Sequence, residues 1–504
     1  MTTPAVSDGL FSNRVPEEIW REIFRLCTDS RIGPATFNPS EAPILLTHIC
    51  GQWRLIAHDE EYLWTSLRAR YPSPGPDDWR LQHLCNWLQR AKRKEVRLHL
   101  EQYYAYGSQE VSALFQLDTP GERLMPQVAR SVKNLTSLVL IEIPQEELVS
   151  LPDDSFPVLE RLVLPTKYWE HGRIWAFSDA PALRRAALEP QIADPGFMPL
   201  PWHQLTHFLE FWETEKRTWE CIKQMRGIRY LAMIFPRVGK SWRWPDERLA
   251  VESLECLTVN LWDYDDNPGF QPEGIEFLRH FVFPRLKSLR LVLQHELNLN
   301  RNADWDLIEE FVDTVRQYKG LEYFSLSCAN MTGIDRIFEA IPDIKTLDVH
   351  LRNQNPKDLG AFFEALTIVD DGPFQQRPLS QLKEVVIDLS TRNLCRKHWF
   401  NTSELACSEM VTLTLRNFLT SRLTAAEAEG GNFKIVFYGT DATLIKSYVA
   451  KLDDLVKAGL QLETNLLPHD NEDHECNCSR WWIYRDPELK DWPEVLGMAR
   501  APPF

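Results

Sequence analysis

The residues able to do chemistry are few and scattered. His469, His474, Cys476 and Cys478 share the stretch HDNEDHECNC, and imidazole and thiolate are zinc-ligand types. C-x-C is shorter than the usual zinc spacing, and no second Cys or His pair stands at a fitting distance. The stretch therefore reads as a polar acidic loop. Asp263, Asp265 and Asn267 match the first three ligand positions of an EF-hand loop, with Asp266 beside them. Pro268 then stands where the turn needs Gly, and Gly274 where the bidentate Glu belongs. A solvated insert is expected there. The chain has no GxxxxGK[ST] phosphate loop, no GxSxG nucleophile elbow and no HExxH zinc helix. The expectation is a protein that is not an enzyme, with no catalytic residue, metal or cofactor.

Two further sets could serve recognition. Arg90, Lys92, Arg93, Lys94 and Arg97 form a basic cluster at an expected helix end, where cations suit the dipole; a docking patch is the alternative. Of the 18 tryptophans, Trp175, Trp202, Trp212, Trp219, Trp242 and Trp244 fall in loops or near segment edges. Irregular core packing and partner anchoring are both open to them.

Composition narrows the class. With 504 residues the chain is too long for one compact core, unless repeats contact only their neighbours. A net charge of −16 argues against nucleic acid and disfavours anionic membrane surfaces. No apolar run approaches a membrane span, and MTTPAVSDGL lacks the pattern of a secretory signal. The ten cysteines are scattered, mostly within apolar patterns, which suits reduced thiols in the cytoplasm or nucleus.

Three helices are expected in Val15 to Arg70. Pro16 suits a first helical turn, and Glu17 and Glu18 suit the positive end of its dipole. Ile19, Ile23 and Cys27 make one apolar row, widened by Trp20, Phe24 and Leu26. One apolar edge serves the helix's own core, and the other is spare for a partner. Leu45 to Ala57 reads as a second helix with Gly51 inside it, costing about 1 kcal/mol relative to Ala. Tyr62, Leu63, Trp64 and Leu67 mark a third. Such a unit is marginal alone.

These three segments, VPxEIxxxIF, ICxxWR and LWxSL, resemble the F-box in its long-loop fungal form. The matching positions are Val15, Pro16, Glu18, Ile19, Ile23, Phe24, Leu45, Leu46, Ile49, Cys50, Trp53, Arg54, Ala57, Leu63, Trp64 and Leu67. The resemblance covers residues 13–70. Val15 departs from the family's usual Leu, Gly51–Gln52 stands where a basic pair is common, and Thr28 to Ala42 is a long polar insertion. The resemblance implies docking on a Skp-type adaptor, and through it a cullin, by Val15, Pro16, Glu18, Ile19, Ile23, Leu45, Leu46, Ile49, Trp53, Leu63 and Trp64.

After a Pro- and Gly-rich linker expected at 71–78, a helix (Trp79 to Ala91) and a strand (Val96, Leu98, Leu100) follow. A leucine-rich anchor then recurs ten times: NLTSLVL, VLERLVL, ALRRAAL, QLTHFLEF, GIRYLAM, SLECLTV, RLKSLRLVL, GLEYFSL, DIKTLDV and QLKEVVI. The motif resembles the LxxLxL of leucine-rich repeats, whose spaced Leu side chains point into a shared core. The expected fold class is α/β: a small three-helix head, then an irregular repeat solenoid over 79–409 with a parallel sheet, then a cap over 410–504. Within the cap, strands are expected at Met410–Leu415, Phe433–Tyr438 and Trp481–Tyr484, and a helix at Asp441–Ala458. Positions between the core leucines form the expected partner face, with Arg161, Arg185, Tyr230, Arg290, Tyr323 and Asp348 as its main contacts.

Together the two resemblances imply a substrate-recognition subunit of a cullin-based (SCF-type) ubiquitin ligase, binding an unidentified target protein through the repeats. The alternative is an interaction scaffold outside any ligase.

Overall fold

The computed structural model describes residues 15–29, 34–72, 79–103, 124–141, 143, 145–165, 172–188, 195–210, 216–235, 247–261, 278–293, 305–328, 334–351, 356–369, 378–389, 409–439, 442–466, 489 and 492. The chain is mixed α/β and divides into two compact units, Met1–Thr206 and His207–Phe504.

In the first unit, helices α1 (Glu17–Asp29), α2 (Ile44–Ile49) and α3 (Gly51–Asp59) and a 3-10 turn (Glu61–Trp64) lead into strand β1 (Ser66–Pro72). Then come α4 (Trp79–Arg90), β2 (Val96–Tyr103), α5 (Leu124–Ser131), β3 (Leu135–Ile141), α6 (Gln145–Val149), β4 (Arg161–Leu164) and β5 (Arg185–Leu188). The five strands lie in chain order, each parallel to the next. Register sets Leu67, Leu98, Leu138, Leu162 and Ala186 side by side, all buried.

The second unit repeats the plan. Its main sheet is β6 (His207–Glu210), β7 (Tyr230–Phe235), β9 (Cys256–Leu261), β11 (Ser288–Leu293), β12 (Tyr323–Cys328), β13 (Thr346–Leu351), β14 (Glu384–Asp388), β15 (Lys434–Gly439) and β16 (Gln461–Leu466), all parallel. The short strands β8 (Leu249–Ala250) and β10 (Phe281–Val282) pair with each other. Helices α7 (Lys216–Gln224), α8 (Trp305–Arg316), α9 (Ile334–Ala340), α10 (Pro356–Leu366), α11 (Glu409–Ala428), α12 (Ala442–Lys451) and α13 (Asp453–Lys457) fall between strands. Phe208, Leu231, Leu257, Leu289, Phe324, Leu347, Val385 and Ile435 form its central apolar row, all buried.

Each of the ten anchors lands on a strand of these sheets. The apolar residue that opens each, from Leu135 to Leu382, is buried. Each contributes about 1.5–3 kcal/mol of transfer free energy, and together they hold the strands in register.

Several local expectations change. The single helix expected over Leu45–Ala57 is two helices, because Cys50 is extended (φ −155°, ψ 170°) and its Sγ accepts from the Trp53 N–H at 3.4 Å. Gly51 thus opens α3 rather than weakening a helix interior. Tyr71 and Pro72, expected in a linker, end β1. Met410–Leu415 is helix, not strand. Val411, Leu415, Phe418, Leu419 and Leu423 are buried at helical spacing, and Leu413, which made the residues look alternating, is exposed. Within the expected Asp441–Ala458 helix, Leu452 separates α12 from α13. Gly459 (φ +109°) follows α13, and the Leu460 N–H reaches back to the Leu455 carbonyl, closing the helix end. β15 and β16 continue the second sheet, so the expected cap region shares its ladder. The strand expected at Trp481–Tyr484 lies outside the described residues, as do the acidic stretches at 263–274 and 469–478.

Candidate functional site

The helical head buries one apolar set and exposes another. Phe24, Leu46, Ile56, Ala57, Leu63 and Trp64 are buried. Trp20 and Phe24 pack on Trp53, with ring centroids 4.7 and 5.0 Å apart. On the same side of α1, Arg21 reaches Asp59 at 2.6 Å and Glu60 at 3.4 Å, and Arg25 reaches Glu60 at 3.1 Å. The Asp59 carboxyl lies below its ordinary range because Arg21 donates to it. So α1 faces its own protein with two aromatics and two arginines. Its other side carries Ile19, Ile23 and Leu26, at positions i, i+4 and i+7, all exposed. Ile19 is 51% exposed and Ile49 on α2 54%. Leu45 and Leu55 are exposed too. This is the spare apolar edge expected from the sequence.

The eleven residues expected to meet an adaptor therefore sort by environment. Pro16, Glu18, Ile19, Ile23, Leu45 and Ile49 are exposed, Val15 and Trp53 half-buried, and Leu46, Leu63 and Trp64 buried. The last three are core of the head.

Trp64 ties the head to the first sheet. Its indole donates to the Ala57 carbonyl at 2.8 Å, and its own carbonyl accepts from the Trp87 indole at 3.0 Å. The two rings meet edge-on at 4.8 Å. Arg90 lies 4.5 Å above the Trp64 ring, a cation–π contact, and Lys92 pairs with Asp59 and Glu61. Two members of the basic cluster thus serve the junction. Part of the long insertion is also structural: Ala35 bridges Leu67 of β1, and Phe37 packs edge-on against Trp87 at 5.5 Å.

The expected partner face is largely buried. Tyr230, Arg290 and Asp348 are buried, and Arg161, Arg185 and Tyr323 half-buried; between them Ser137, Val139, Val163, Thr258, Ser325 and Asp388 are buried as well. Parallel sheets are commonly covered on both faces, and a reading built on leucine spacing sees only one. Three expected contacts do come together. Arg290, Ser325 and Asp348 occupy one register row on β11, β12 and β13. The Tyr323 hydroxyl donates to Asp348 at 2.5 Å, Arg290 donates to that hydroxyl at 2.8 Å, and Ser325 donates to Asp348 at 3.2 Å. Arg161 and Arg185 are register neighbours in the first unit. Tyr230 stands apart and stacks on His207 at 5.7 Å.

Two polar centres lay outside the sequence expectations. Arg68 and Arg70 on β1 both donate to one oxygen of Glu101 on β2, at 3.0 Å each. Burial alone would raise the Glu101 carboxyl, but these two bonds hold it below its usual range. His99, opposite Arg68 in register, is pushed down to about 3 by burial and then by Arg68. The alternation Leu67, Ala69 with Arg68, Arg70 between was the available signal. Arg422 on α11 is buried and donates to the carbonyls of Leu366, Pro378 and Leu379; burial lowers it to about 10.

Among the described residues no group of His, Cys, Asp or Glu gathers to hold a metal, and no helix is long and apolar enough to cross a membrane. Trp202 and Trp219 are core residues, whereas Trp175 is exposed. Trp212, Trp242 and Trp244 lie outside the described residues. No family model matches this chain, and no curated protein matches it.

Proposed function

We propose that the chain is the target-recruiting subunit of a cullin-based ubiquitin ligase of the cytoplasm or nucleus, its head an F-box and its sheets a leucine-rich-repeat solenoid. One observation carries this reading. Ile19, Ile23, Leu45 and Ile49, through which an F-box would meet a Skp-type adaptor, are exposed apolar side chains on a head whose own core is already filled. The role is positional. The adaptor holds the head, the head is joined to the first sheet through Trp64 and Trp87, and a protein target held by the repeats is brought near the ubiquitin donor at high effective concentration.

The test is affinity capture from cells of the full chain against an Ile23→Asp, Ile49→Asp variant. Recovery of adaptor and cullin with the wild type and neither with the variant supports the proposal. Adaptor without cullin would turn it into a scaffold outside the ligase. Neither partner with the wild type ends it.

A further inference from the structure

The edge of the first sheet carries a charge imbalance that its own side chains leave uncorrected. Strands β1 to β5 contain Arg68, Arg70, Arg97, Arg161 and Arg185 against the single acid Glu101, in a chain of net charge −16. Three of these arginines meet at β1 and β2. Register sets Ser66 beside Arg97, Arg68 beside His99 and Arg70 beside Glu101, and strand alternation puts all six on one face.

Glu101 cannot saturate this corner. Arg68 and Arg70 both end on its Oε2 atom, leaving most of their N–H donors unused there. The Nε atom of Arg68 is buried without a hydrogen-bond partner, and so is Nε2 of His99, a residue only 7% exposed. Adjacent buried polar atoms left unpaired are costly, and an absent ion is one ordinary reason for them. Meanwhile the Arg70 side chain is 66% exposed and Arg97 is exposed, so the corner opens to solvent.

We propose that this β1–β2 corner binds a phosphate monoester carried on an extended phosphorylated segment of a partner polypeptide. Guanidinium forks match the oxygens of a phosphate, whose dianion offers three acceptors where Glu101 offers these arginines one oxygen. The attachment to a peptide follows from exposure. A free anion at two solvent-facing arginines is screened and weakly held. β1 is moreover the terminal strand of its sheet. Among the described residues its outer edge meets only the Ala35 bridge at Leu67, so a segment laid along it gains main-chain bonds as well. The site stands apart from the adaptor-facing stripe, and its test does not involve the adaptor.

The experiment measures binding of the full chain to a degenerate peptide library with a central phosphoserine, to the same library with serine or glutamate, and to orthophosphate. The phosphoserine library is expected to bind at least about tenfold tighter than either counterpart, with orthophosphate weaker still. Arg70→Gln with Arg97→Gln should remove about that tenfold without changing the melting temperature, since both side chains are exposed. Arg229→Gln in the second unit should leave binding unchanged. Equal binding of the serine and phosphoserine libraries overturns the proposal, as does full binding by the double variant. Glutamate matching phosphoserine overturns the phosphate class, and orthophosphate binding as tightly as the peptide overturns the polypeptide source.

Discussion

Ile19 and Ile344 are the same side chain in opposite settings. Ile344 opens the anchor of β13 and is fully buried; Ile19 lies on α1 and half of it meets water. The anchors of both sheets resemble Ile344 throughout, since every leading apolar residue is enclosed by its neighbours. The head resembles Ile19: it holds more apolar surface than its small core can use. A repeat thus spends its apolar residues on stacking, while the head keeps some for another molecule. The contrast extends to charge. On α1 the charged Arg21 and Arg25 face inward onto Glu60, and the isoleucines face out.

The largest effect that would test this contrast is at Trp64, the buried joint between the two settings. Trp64→Ala should cost about 3–5 kcal/mol of first-unit stability, read by denaturant unfolding, because it deletes a fully enclosed ring and strands the packing of Trp87. Ile344→Ala should cost about 2–5 kcal/mol, whereas Ile19→Ala should stay within about 0.5 kcal/mol. Equal costs at the two isoleucines would dissolve the distinction. Arg422→Met is expected next, at about 2–3 kcal/mol, since it leaves the carbonyls of Leu366, Pro378 and Leu379 without their charged donor.

Acid should separate the units further. His99 titrates at about 3 in the folded first unit and near 6.5 when unfolded. As pH falls the unfolded form takes up its proton first. The stability from neutral His99 is complete above about pH 6.5 and is lost progressively toward pH 3. Melting of His99→Gln across that window should show a flatter decline. The smallest effect is on the surface of the second unit, where Lys345 pairs with Glu322 at 2.7 Å and Glu255 with Arg229 and Lys287. Glu322→Gln should cost about 0.2–1 kcal/mol, shrinking with added salt.

Leucine spacing made the ten parallel strands legible, because an anchor that must bury its leading residue leaves a period in the chain. The head helices were legible for the same reason, including the spare edge at Ile19 and Ile23. Other features left no such period. β1 was hidden because SLRARYP carries arginines where a strand buried on both faces would carry Val or Ile. Met410–Leu415 alternates over six residues, and only the longer row ending at Leu423 reveals a helix. The burial of Tyr230, Arg290 and Asp348 depends on what covers the second face of the sheet, which residue spacing does not encode. Their meeting with Tyr323 and Ser325 depends on cross-strand register, likewise set in three dimensions.

Calorimetric titration of the full chain with a purified Skp-type adaptor tests the central claim most directly. The account predicts binding with a negative heat-capacity change, from burial of the Ile19, Ile23 and Ile49 surface. It predicts loss of that binding in Ile19→Asp with Ile23→Asp, whose melting temperature stays at the wild-type value. No binding by the wild type, or undiminished binding by the double variant, would contradict it.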